Sequence, residues 1–239
     1  PRAIATRLLP IASPGSQGSQ NPTGNGWLLR GHKRFVTLGT HATRLLIVAS
    51  HGTDEAGRNR LAVVCIPAER AGVQLHPMPP TPFVPEIPHC TVSLSDVAIT
   101  AHEILPGDGY DRYLKPFRTV EDIHVHAALL GHAIGAARRW HFPTPVMDEA
   151  LALLCALSPL SAADPRSAAA HIALGGVLSA TARWVDSLSP LWSRLPTDTP
   201  ERQRWERDRA LLYVAGKARA ARLASAWATY HTGTPARVD

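Results

Sequence analysis

The chain has 239 residues, 45% hydrophobic and 18% charged, with a mean hydropathy of −0.07. That is enough to bury a core in one generous domain or two modest ones, and it excludes a chain that is disordered or membrane-embedded throughout. Lys and Arg number 25 against 19 Asp and Glu, a net charge of +6, which favours anionic partners in general.

No dense basic run interleaves with aromatics, so no nucleic-acid partner is expected. The longest uncharged stretch, Ser167 to Ala182, includes His171, Gly175 and Gly176. It falls short of the roughly 20 apolar residues that span a bilayer, and no membrane partner is expected. No Lys- or Arg-led apolar segment opens the chain, so a signal peptide is not expected and a cytoplasmic location is the default. Cys65, Cys90 and Cys155 lie far apart without a C-x-x-C pair, which argues against a disulfide framework or a cysteine zinc cage.

Residues 1–25 read as a leader or linker, because Ser13-Pro14-Gly15-Ser16-Gln17-Gly18 through Pro22 breaks both helix and strand. From Gly26 to about residue 110 the pattern is β. Runs rich in Val, Ile, Thr and Leu at Arg34–Leu38, Arg44–Ser50, Leu61–Pro67 and Thr91–Val97 are separated by Gly and Pro turn chemistry, which predicts a small barrel or sandwich. Thr91-Val92-Ser93-Leu94-Ser95 alternates as a half-buried strand does.

Residues 111–239 read as an α-helical bundle. Helices are predicted over Thr119–Trp140, Val146–Leu157, Arg166–Leu188 and Pro200–Tyr230, the last with Leu211, Val214, Ala218 and Ala221 at helical spacing. Thr199-Pro200 supplies its start, with Thr as N-cap and Pro at the first helical position. The fold class is therefore α+β, a small β domain followed by a bundle. His124, His126 and His132 share the first long helix, but His126 points about 200° away from His124, so one helix cannot assemble a three-His metal site.

The segment Gly26-Trp27-Leu28-Leu29-Arg30-Gly31-His32-Lys33-Arg34-Phe35-Val36-Thr37 resembles the start of the middle domain of acyl-CoA dehydrogenases, which reads G-W-x-L-N-G-x-K-x-[FW]-[IV]-[TS]-N-G. The resemblance continues through Ile66-Pro67-Ala68, Gly72-Val73, the strand Val92 to Ile99 and an exit at Ile104 to Tyr110. It then follows the long helix through Ala127 to Gly131 and Ile134 to Arg139. In this order the motifs cover about residues 26 to 142; beyond Pro143 the likeness rests on the helices and Ala215-Gly216-Lys217-Ala218.

The resemblance implies a flavoprotein of fatty acid metabolism that binds FAD and an acyl-CoA or related thioester, commonly as a homo-oligomer. A carboxylate removes the α-proton and the β-hydride passes to the flavin. Phe35 and Thr37 stand where the family places an aromatic against the isoalloxazine ring and a hydroxyl near its N5. Read only as an alternating strand, Phe35 is core and Thr37 is merely β-favouring. Leu38 replaces the family's Asn, so one polar contact is expected to be missing. Ser19 falls at the Ser of the family's T-E-P-x-x-G-S-D loop, with Gln20 in place of its Asp; the same segment also reads as a plain linker.

Glu121 aligns with the catalytic glutamate that isovaleryl-type members carry on the first long helix, and Asp122 falls where the family commonly has Arg. A solvated glutamate favoured by the helix dipole is the alternative. Arg118 and Lys217 are candidates for the FAD pyrophosphate or the CoA phosphates, or are simply solvated. The family's N-terminal helical domain and last two helices have no counterpart here, as expected of a fragment, a shortened relative or a subunit completed in an oligomer. An inactive binding subunit and a flavin monooxygenase of the same fold are the competing functions.

Overall fold

Short apolar alternations in the first part of the chain become six strands of one sheet: β1 (Arg7–Pro10), β2 (Trp27–Thr37), β3 (Arg44–Thr53), β4 (Asn59–Pro67), β5 (Val73–Pro77) and β6 (His89–Ile99). They are seen in a computed structural model that describes residues 4–11 and 26–233. The chain divides into two units, residues 1–114 and 115–239. In the first, the strand order is β4-β3-β1-β2-β6-β5. Every pairing is antiparallel except β1 with β3. The barrel or sandwich expected from the sequence is thus a single curled mixed sheet, a half-barrel. Leu29, Ile47, Val64, Val92 and Val97 fill its core.

All four predicted runs lie in strands, with Leu38 just past the end of β2. β1 lies inside the segment read as leader. It has only four residues, too few for a period to show, yet it buries Leu8 and pairs with β2 from Arg7↔Arg30 to Pro10↔Trp27. The remainder of that segment, from residue 12 to 25, lies outside the described residues. On its other side β1 meets β3 only at Arg7↔Ser50, supported by the Ser50 amide donating to the Thr6 carbonyl at 2.8 Å. Gly31 allows this close fit. Its φ is +137°, and a Cβ there would stand 2.8 Å from the Thr6 Cα.

Two bulges interrupt the β2–β6 ladder. Between Leu29↔Val97 and Gly31↔Leu94 the extra residue is on β6, and between Lys33↔Val92 and Val36↔Cys90 it is on β2. Each contains a side chain at positive φ, Asp96 (+50°) and Phe35 (+56°). Arg30 ion-pairs with Asp96 at the first. The outer edge of β4 is partly covered where Ile104 bridges Val64 and the Leu105 amide donates to the Val63 carbonyl at 2.8 Å.

A π-type turn, Tyr110–Leu114, precedes the helices: α1 (Lys115–Arg139), α2 (Thr144–Ala162), α3 (Ala168–Ser187), α4 (Ser189–Trp192), α5 (Pro200–Asp208) and α6 (Gly216–Thr232). The Ser167 hydroxyl caps α3 by accepting from the Ala170 amide at 3.1 Å. Leu130, Leu157, Leu174, Trp184 and Trp192 anchor the bundle core, and Trp192 stacks on Trp205 with ring centres 5.0 Å apart. α2 is, by length and composition, apolar enough to cross a membrane. It nonetheless carries Asp148 and Glu149, and Ala150, Leu153 and Leu157 face the core.

The predicted helix over Pro200–Tyr230 is two helices. Arg209–Tyr213 tightens into a 3-10 turn, Val214 is extended and Ala215 is left-handed at φ +64°. This break buries Leu212 and lets the Tyr213 hydroxyl donate to Asp186 at 3.1 Å. The expected stripe therefore dissolves, with Val214, Ala218 and Ala221 exposed. α6 instead packs on α3 through Leu223, which fills the space over Gly175.

Because Gly31 holds a backbone region open almost only to glycine, Gly31→Ala should lower the unfolding free energy by about 1–3 kcal/mol. Urea unfolding of the variant beside the wild type checks this.

Candidate active site

At the N-terminal end of β1, beside Arg7, the sheet forks. Among the described residues no strand lies between the C-terminal half of β2 and the N-terminal half of β3, and a cleft of about 450 Å³ opens there. Ile4, Val36, Leu46, Val48, Val92 and Leu114 give it apolar walls, with Lys33, Arg34, Phe35, Thr37 and Arg44 among its lining. A mostly apolar concavity with a few polar groups is the usual form of a small-molecule site.

The structure thus brings Phe35 and Thr37 to one cleft. The bulge holds Phe35 out from the sheet, 58% exposed rather than core. Its ring meets His89 edge-on at 6.3 Å, and the Arg34 guanidinium carbon lies 5.5 Å from its centre. The His89 Nδ1 is buried and has no hydrogen-bond partner. Leu46, 69% exposed, adds a second apolar surface. Arg44 is engaged, its Nε donating to the Cys65 Sγ and its Nη2 to the Cys65 carbonyl, each at 3.3 Å. Lys33 is half-buried, and burial pushes its ammonium below the usual lysine range. Sequence reasoning quoted Lys33 and gave it no role, although it stands two residues before Phe35 and four before Thr37.

Leu38 takes φ +55°, a conformation that Asn adopts more readily than Leu. The departure from the family pattern is therefore also a backbone matter. Gly39 follows because a Cβ there would stand 2.4 Å from the Cys90 Sγ. Ser19 lies outside the described residues.

In the helical unit, Glu121 sits off the core face of α1 and accepts from Arg118 at 2.8 Å. Lys217 is exposed on α6. Asp122, the neighbour of Glu121, is buried, 6% exposed. Arg219 brings its Nε and Nη2 to Oδ1 at 2.8 and 2.7 Å, and Arg222 brings Nη2 to Oδ2 at 2.6 Å. On the same face of α1, His126 donates from Nδ1 to the Asp122 carbonyl at 2.7 Å. Thr119 meets the Nε2 of His171, which also donates to the Pro165 carbonyl at 2.8 Å. Burial pushes both imidazoles below their ordinary pKa, with Arg219 adding to the effect on His126 and Arg222 to that on His171. Among the described residues no group of three His, Cys, Asp or Glu stands together as a metal site would need.

Residues 11–97 match the family model described as acyl-CoA dehydrogenase, middle domain. The fold matches solved structures of that family and of a monooxygenase. The glutaryl-coenzyme A dehydrogenase–glutaryl-CoA complex is 18% identical with a TM-score of 0.58, covering 84% of this chain and 59% of its own. TdsC, a dibenzothiophene monooxygenase from Paenibacillus sp. A11-2 solved with FMN and indole, is 14% identical with a TM-score of 0.68, over 98% and 68%. Butyryl-CoA dehydrogenase from Megasphaera elsdenii is 16% identical with a TM-score of 0.63, over 92% and 67%. At these identities the likeness is one of fold, and the chain spans about three-fifths to two-thirds of their length. No curated protein sequence matches it.

Removing one partner of a buried ion pair strands the other charge, so Asp122→Asn should cost about 3 kcal/mol of stability, measured by denaturant titration. His126 and His171 have depressed folded pKa values, so their contribution is complete above the ordinary imidazole value near 6.5 and is lost as pH falls below it. Melting curves should show the midpoint dropping between pH 7 and 5, and flat midpoints would contradict this.

Proposed function

We propose that this chain acts as an acyl-CoA dehydrogenase-like flavoprotein that binds FAD and catalyses α,β-dehydrogenation of an acyl thioester. The observation that carries it is the coincidence of the middle-domain match with a cleft that Phe35 and Thr37 both line. The cleft suits a flat aromatic ring: Phe35 and Leu46 offer apolar faces, and the Thr37 hydroxyl can bond to a polar ring edge. Ser19, Arg118 and Lys217 are assigned to the phosphate end of the cofactor or substrate. Bound flavin supplies a hydride acceptor for the acyl β-carbon. Glu121 is assigned the removal of the α-proton. Substrate would be an acyl-CoA or related thioester, in a cytoplasmic homo-oligomer of fatty acid metabolism.

A flavin monooxygenase is the second possibility. The exposed Glu121–Arg118 pair favours it, since that chemistry needs the same flavin seat but no carboxylate base, and TdsC shares the fold. An inactive relative that keeps only the binding role is the third.

Purified protein mixed with FAD should carry the visible absorbance of oxidised flavin through gel filtration, and acyl-CoAs should bleach it anaerobically. Glu121→Gln should slow that bleaching by about 100-fold or more, the scale of a lost general base. Retained flavin with unaltered bleaching would remove Glu121 from the role; flavin lost on the column would overturn the flavoprotein function for this chain.

A further inference from the structure

We infer that Lys33 makes the β2–β3 cleft hold reduced, anionic flavin more tightly than oxidised flavin, so that it raises the reduction potential of the bound cofactor. This rests on the flavoprotein function proposed above and names the charge that tunes it.

Three cations line the cleft and no carboxylate does. Two of the three are occupied: Arg34 lies against the Phe35 ring, and Arg44 is tied to Cys65. None of the three has an ion pair with a described residue, but Lys33 alone among them is half-buried, between apolar walls, whereas Arg34 and Arg44 are exposed to solvent. An ammonium in that position has lost part of its hydration without gaining a counter-ion, which is why its pKa is depressed. Such a charge favours whichever ligand form carries negative charge, and at reduced dielectric the attraction exceeds its value in water.

Oxidised isoalloxazine is neutral. Uptake of two electrons with one proton leaves the ring system anionic at neutral pH, with the charge on its pyrimidine side. A ligand shifts an equilibrium only by its differential affinity for the two states. The half-buried Lys33 ammonium supplies that difference, and Phe35 and Leu46, which contact both forms alike, do not.

The experiment uses the full chain loaded with FAD. Its midpoint potential is measured by reduction against a reference dye, beside free FAD, Lys33→Met and Lys33→Arg. The wild type should hold FAD at a potential above that of free FAD. Lys33→Met should still retain oxidised FAD on gel filtration, with the preference for the reduced form down about tenfold, a shift of about −30 mV for a two-electron couple. Lys33→Arg should restore the wild-type value. A wild-type potential at or below that of free FAD overturns the inference, even if Lys33→Met fails to fold. So does a Lys33→Met protein that holds flavin at the wild-type potential. Failure of the wild type to retain any flavin instead overturns the flavoprotein function itself, and the inference with it.

Discussion

Four residues join the two halves of the β sheet. β3 pairs with β4, and β2 with β6 and β6 with β5, all antiparallel, and among the described strands only β1 connects the two sets. Its bonding is lopsided, with four register pairs to β2 and one to β3. The buried Thr6 extends the connection by one carbonyl before the ladder runs out. Gly31 is the position that lets the chain at Thr6 come close enough for β1 to link the two halves.

The helical unit solves a different problem, charge in an interior. One carboxylate, Asp122, faces two guanidiniums, Arg219 and Arg222, and His126 and His171 lie alongside. The ionic core already carries an excess positive charge, so further protonation of either imidazole is opposed by both burial and like charge. Neutral histidines are the consistent state, and each donates its ring N–H to a backbone carbonyl rather than to an acid. The same ionic contact ties α6 to α1, compensating for the exposed alanines along much of α6.

Much of this was legible in the sequence, and the failures have specific causes. The step from Leu94 to Val97 in an otherwise strict alternation of buried residues on β6 is the mark of its bulge. β1 was missed because four residues beside a Gly- and Pro-rich stretch carry no period. The division of α5 from α6 was missed because the left-handed residue is Ala215, with the glycine one place later. At the candidate site, Phe35 and Thr37 came from the resemblance and not from strand periodicity, which pointed to a buried Phe. On α1, the resemblance points to Glu121, whereas Thr119, Asp122, Ile123, His126 and Leu130 fall on one buried face. An acid inside an apolar helical stripe is the residue that folding must neutralise, and Arg219 and Arg222 at three-residue spacing were its available partners.

The two bulges in the β2–β6 ladder cancel. One extra residue on β6 near Asp96 displaces the register by one, and one extra on β2 near Phe35 restores it, so Trp27↔Ile99 and Thr37↔His89 share a single offset. Only the short stretch between them, from Gly31 to Lys33, runs out of step. Losing one extra residue alone would slip one end of the ladder and turn its side chains to the opposite face. Lengths at these two places, far apart in the chain, are therefore bound to change together: homologues that drop a residue near position 35 should also drop one near position 96. Insertions and deletions, rather than substitutions, would record the history of this cleft.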